Sequence, residues 1–113
     1  MLTIYHNPRC SKSRQTLELI KESSSKEITV IEYLKEPLSQ TDIEKLLSLL
    51  SCSPVEMMRI KEAEFKEQNL KGADDKTLIA AMVATPKLIE RPIVTDGKKA
   101  VIGRPPENAL ALC

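Results

Sequence analysis

The chain reads as an α/β fold built from a β-α-β unit, a helical insertion and a closing β-β-α unit. Three observations predict it. Short apolar runs near both ends have strand composition, and the middle third repeats apolar residues at helical spacing. In the last third an Asp-Gly pair between two apolar runs marks a hairpin.

In chain order, residues 1–5 form the first strand, and residues 27–33 form the second, with Ile28, Val30 and Ile31 as its apolar positions. A helix from about Ser11 to Glu22 joins them. Ser39 and Asp42 then have the spacing of a capping box, and Ile43, Leu46, Leu47 and Leu50 recur at i, i+3, i+4 and i+7. A second helix start is written at Ser53-Pro54-Val55-Glu56, with Pro54 at the first helical position. Residues 60–72 receive no element. Leu78, Ile79, Met82 and Val83 supply another apolar face after Asp74-Asp75. Pro92-Ile93-Val94 and Ala100-Val101-Ile102 flank a turn at Asp96-Gly97, and a helix from about Pro106 to Leu112 closes the chain.

A length of 113 residues corresponds to one domain, 1–113, able to bury an ordinary core without disulfides or metal. The three cysteines, at 10, 52 and 113, make no disulfide framework, and no signal-like segment is seen at the N-terminus. A cytoplasmic, reducing compartment is therefore expected. A net charge of +1 gives no reason for direct nucleic-acid binding, and no apolar run approaches membrane-spanning length.

Cys10 is the candidate reactive group. It follows the first strand and opens the helix, where unpaired N–H groups and the positive end of the helix dipole favour a thiolate. No carboxylate occurs from His6 to Arg14, whereas Arg9, Lys12 and Arg14 add positive charge. The alternative is a small buried hydrophobe at a strand end. In Cys10-Ser11-Lys12-Ser13 the hydroxyl of Ser13 stands where a Cys-x-x-Cys protein has its second sulfur, so an adduct at Cys10 needs a remote or external thiol to resolve it. The element order is compatible with a thioredoxin-like fold, whose reactive group occupies this strand-helix junction.

Four segments in order, Tyr5-His6-Asn7-Pro8-Arg9-Cys10-Ser11-Lys12-Ser13-Arg14, Glu32-Tyr33-Leu34-Lys35-Glu36-Pro37, Arg91-Pro92-Ile93-Val94 and Gly103-Arg104-Pro105, resemble the glutaredoxin-coupled arsenate reductases over nearly the whole chain. The resemblance implies that Cys10 attacks arsenate, that Arg59, Arg91 and Arg104 hold the oxyanion, and that glutathione and glutaredoxin resolve the adduct as arsenite forms. Guanidinium forks suit a tetrahedral oxyanion and offset its repulsion from a thiolate. The resemblance makes glutathione a co-substrate; no bound cofactor or metal is expected, and the protein is expected to act as a monomer. Pro92 is expected to form a cis peptide facing the reactive cysteine. His6 either tunes Cys10 or makes a structural hydrogen bond. Each arginine could also be an ordinary surface residue, as arginine usually is. Two other functions are compatible with the fold: a regulator that binds RNA polymerase, whose usual Cys-x-x-Cys switch Ser13 breaks here, and a thiol enzyme acting on a different oxyanion.

Overall fold

A computed structural model describes residues 1–113 as two compact units. The first combines Met1–Glu36 with Arg91–Cys113, and the second is Pro37–Glu90, the segment that the sequence marks as the helical insertion.

The first unit contains the sheet. Strand β1 (Leu2–His6) leads to helix α1 (Ser11–Ser23) and strand β2 (Ile28–Glu32); after the insertion come β3 (Ile93–Thr95), β4 (Ala100–Ile102) and a terminal 3₁₀ helix, Pro106–Leu112. The strand order is β2-β1-β3-β4. β1 pairs in parallel with β2, from Leu2 opposite Ile28 to His6 opposite Glu32, and antiparallel with β3, Ile4 opposite Val94. Parallel pairing requires a crossover, which α1 provides. The last two strands are joined at Asp96-Gly97, where Asp96 Oδ1 accepts the N–H groups of Lys98 and Lys99 and Gly97 takes φ +91°. This is the predicted core, α/β and thioredoxin-like in its element order, with an insertion between its halves.

Alternation along β1 buries Leu2, Ile4 and His6 on one face. Leu2 and Ile4 join Ile20, Val94, Ala109 and Leu112 in the core, beside Leu17, Ile28 and Val101. β2 is an edge strand, which is why Val30 remains 42% exposed despite its strand composition. The buried face of α1 is Ser13, Thr16 and Ile20, so two of its three buried positions carry hydroxyls. Such groups are tolerated inside only when hydrogen-bonded, and each of them is.

In the second unit α2 (Gln40–Leu50) opens on the predicted capping box, Ser39 Oγ accepting the Asp42 N–H while the Asp42 carboxylate accepts the Ser39 N–H. It ends at Ser51, in the left-handed region at φ 55°. Ser53 and Glu56 form their own box, but the element they open is a single 3₁₀ turn, Pro54–Met57, because Met58 becomes extended and pairs with Ile89. The stretch 60–72 contains α3 (Ala63–Glu67), which has one buried residue, Phe65. Helix α4 (Asp75–Ala84) starts at the Asp74 cap and buries Leu78, Ala81 and Met82, with Ile79 and Val83 only half-buried. The closing helix of the chain, expected as a helix from Pro106, is a 3₁₀ helix tied by bonds such as Asn108 N–H to the Pro105 carbonyl. No helix is long and apolar enough to cross a membrane.

Candidate active site

Cys10 is the N-cap of α1, with extended dihedrals of −94° and 122° that let the chain turn from loop to helix. Asn7 builds the turn in front of it: its carbonyl accepts the Cys10 N–H at 3.0 Å and its side-chain Oδ1 accepts the Arg9 N–H at 3.0 Å. Arg14 then reaches back and donates to the Pro8 carbonyl at 2.8 Å. The reactive loop is thus closed by its own residues.

The thiol is half-buried. Burial alone would raise its pKa, but the Ser13 N–H, the Arg91 guanidinium, through a hydrogen bond and its charge, and the Lys12 N–H together outweigh burial and lower it. The Cys10 side chain makes no capping hydrogen bond, so the helix acts on the sulfur through the dipoles of its first N–H groups. The cation that matters is Arg91, distant in sequence. Arg9, Lys12 and Arg14, the charges adjacent to Cys10 in the chain, are not the source of the shift, and Arg14 is committed to the Pro8 carbonyl. Arg91 has a second notable feature: its Nε is buried and has no hydrogen-bond partner.

His6 and Ser13 sit beneath the loop. His6 Nδ1 and Ser13 Oγ share a 2.6 Å hydrogen bond, and the same hydroxyl accepts the Asn7 N–H at 3.1 Å. Burial is the main reason the His6 pKa is lowered, with Glu32 opposing and Arg14 and Lys21 assisting. A neutral imidazole results near neutral pH. The residue at the second position of the Cys-x-x-Cys spacing is therefore a buried hydroxyl locked to β1.

Arg91 and Arg104 belong to the same unit and are joined through backbone. Both precede cis-prolines, Pro92 as expected and Pro105 in addition. Between them Gly103 donates its N–H to the Pro92 carbonyl at 2.9 Å. A Cβ on Gly103 would lie 2.9 Å from Pro92 Cγ and from both Thr16 Cγ2 and Thr16 Oγ1, so only glycine lets this strand end pass between helix and cis-proline. Thr16 Oγ1 donates to the Lys12 carbonyl at 2.8 Å and also lies 3.3 Å from the Gly103 carbonyl. Arg104 is exposed, and its carbonyl accepts from the Asn108 side chain. Arg59 lies in the second unit, where its guanidinium is ion-paired with Glu62 and lies 4.0 Å from Glu90.

The sequence points to Ser13 and His6 but not to their bond, to Gly103 only as part of the Gly103-Arg104-Pro105 segment, and not to Thr16, Glu62 or Glu90. The available signal for two of these was Gly103 directly before Arg104-Pro105, and a threonine on the helix face one turn after Lys12.

The model of the ArsC family matches residues 5–112. The chain is 49% identical over 112 residues to the uncharacterized protein YfgD of Escherichia coli (strain K12), covering 96% of this chain and 93% of that one. It is 41% identical over 112 residues to an arsenate reductase of Haemophilus influenzae, covering 96% of each. Among solved structures, an arsenate reductase from Vibrio cholerae superposes with a TM-score of 0.93 at 44% identity, covering 99% of this chain and 97% of that one.

Proposed function

The chain belongs to the ArsC family, and from that membership we propose that it reduces arsenate to arsenite at Cys10, with glutathione and glutaredoxin supplying the electrons. The observation that carries the reading is the pairing of the Cys10 sulfur with Arg91 at the start of α1, which lowers the thiol pKa despite burial. A thiolate is the attacking species in such chemistry, and a cation beside it offsets its repulsion from an anionic substrate.

The Cys10 thiolate attacks arsenic and an arsenate oxygen leaves as water, giving a sulfur-arsenic bond. A glutathione thiol displaces a second oxygen in the same way. Glutaredoxin then attacks the glutathione sulfur, so that a glutathione-glutaredoxin disulfide leaves and two electrons remain on arsenic. Arsenic falls from the +5 to the +3 state. Hydrolysis releases arsenite and returns Cys10 as thiol. Arg91 and the N–H groups of Lys12 and Ser13 hold negative charge beside Cys10, and from family membership Arg104 and Arg59 are assigned to the oxyanion as further guanidinium forks. The buried, unpartnered Nε of Arg91 supports its part, because a donor in that state gains most from an incoming acceptor.

An external thiol pair is favoured by the state of Ser13. A serine hydroxyl cannot form a disulfide with Cys10, and this one is held by His6. The test is arsenite formation by the purified protein with the thiol donors omitted in turn. Glutathione plus glutaredoxin should sustain turnover and either alone should not. Full activity with glutathione alone, or with an unrelated dithiol reductant in place of the pair, would refute the coupling.

A further inference from the structure

Arg59 already has anionic partners. Its Nη1 is ion-paired with Glu62 Oε1, and Glu90 Oε1 lies 4.0 Å from its Nε. The side chains are largely shielded, 22% exposed for Arg59, 18% for Glu62 and 24% for Glu90. The backbone enforces the arrangement. The Arg59 N–H donates to the Leu88 carbonyl and the Glu90 N–H to the Met57 carbonyl, both at 2.7 Å, around the Met58-Ile89 bridge. The Glu62 N–H donates to the Arg59 carbonyl at 3.1 Å, a turn that returns Glu62 to the arginine.

Glu62 is also shared. Its Oε2 lies 3.6 Å from Lys87 Nζ, and the same ammonium lies 3.4 Å from Glu64 Oε2. A carboxylate with one oxygen on an arginine and the other on a lysine can release the arginine and still keep a counter-ion. Stranding a shielded charge is costly, and Lys87 lowers that cost for Glu62.

We propose that Glu62 is the resident counter-ion of Arg59, which a tetrahedral oxyanion displaces from the guanidinium, and that Glu62 thereby determines how strongly an anion must bind to be accepted. This rests on Arg59 being an oxyanion ligand in the function proposed above. Carboxylate and oxyanion seek the same N–H fork, so they compete for it. With no substrate present, Glu62 keeps the guanidinium ordered and neutralised. Apparent anion affinity is reduced by the fraction of Arg59 that Glu62 occupies. An anion able to make two charge-assisted hydrogen bonds overcomes that competition, and a weak acceptor such as chloride does not.

The test is calorimetric titration of inorganic sulfate, which cannot be reduced by Cys10, into the full chain. Glu62→Gln should bind sulfate roughly three- to tenfold tighter than wild type, the gain expected when a competing state is removed. Glu62→Asp should return toward wild type. Lys87→Met leaves Glu62 with Arg59 alone and should weaken sulfate binding. In an Arg59→Ala background Glu62→Gln should change nothing. General damage to the fold would not tighten binding in one variant. Unchanged or weaker binding in Glu62→Gln, with Arg59→Ala clearly weakened, overturns the role of Glu62 and leaves Arg59 a ligand. Unchanged binding in Arg59→Ala removes Arg59 from the anion site, and the proposal falls with it.

Discussion

Replacing Arg91 by alanine removes the one side chain that both hydrogen-bonds the Cys10 sulfur and opposes its charge. A hydrogen bond to a charged group contributes about 1.5–3 kcal/mol, and one pKa unit corresponds to about 1.4 kcal/mol. Taken at full value, the loss would raise the thiol by roughly one to two units. Cys10 is only half-buried, so water screens part of the interaction and a rise of about one unit is the working figure. The Ser13 and Lys12 N–H groups remain and retain part of the depression. The assay is the rate of iodoacetamide alkylation against pH, with Cys52 and Cys113 replaced by serine so that only Cys10 reacts. Wild-type Cys10 should show a midpoint below that of a free thiol. Arg91→Ala should move it up by about one unit, and Arg91→Lys should fall between, since the charge returns without the fork. A depressed thiol contributes stability that is complete above the unfolded pKa and is lost as pH falls through the folded one. The stability difference between wild type and Arg91→Ala should therefore shrink toward acid. A midpoint that does not move in Arg91→Ala would refute the assignment of Arg91 as the thiolate's partner.

Gly103→Ala forces a Cβ within 2.9 Å of Pro92 and Thr16 and should lower stability by about 1–3 kcal/mol, read from the urea midpoint; a midpoint equal to wild type would show that the strand end can shift freely. The pKa of His6 is lowered from 6.5, chiefly by burial, so its contribution to stability is complete above 6.5 and is lost as pH falls below it through the folded value. Stability measured against pH should decline on the acid side of 6.5 and do so less steeply in His6→Asn. Identical slopes would show that the imidazole is as readily protonated in the fold as out of it.

The β-α-β unit was legible because its apolar residues alternate and its helix begins at a polar run. β1 nonetheless extends one residue beyond its apolar positions, since His6 continues the buried alternation while looking like loop chemistry. Ser53-Pro54-Val55-Glu56 carries a full start signal, yet a start signal does not encode where a helix stops. Here the pairing of Met58 with Ile89, a long-range contact, stops it after one turn. α3 was illegible because five residues do not establish a period. At the site, the position of Cys10 at the strand-helix junction came from local sequence, but the identity of its cation did not. Arg9 and Arg14 are neighbours in the chain and Arg91 is the neighbour in space, a distinction that only the pairing of β1 with β3 supplies. The ion pairs of Arg59 depend in the same way on segments 57–59 and 88–90 coming together.

In the proposed reaction one thiolate, Cys10, carries the reduction and no second thiol of this chain takes part. It is tested most directly by arsenite formation from arsenate in the presence of glutathione and glutaredoxin, comparing wild type, Cys10→Ser and the double variant Cys52→Ser with Cys113→Ser. Cys52 has its pKa raised by burial and by Glu56, which makes it a poor nucleophile. The double variant should turn over at nearly the wild-type rate, and Cys10→Ser should form no arsenite while remaining folded. Arsenite formation by Cys10→Ser, or its loss in the double variant, would contradict the claim.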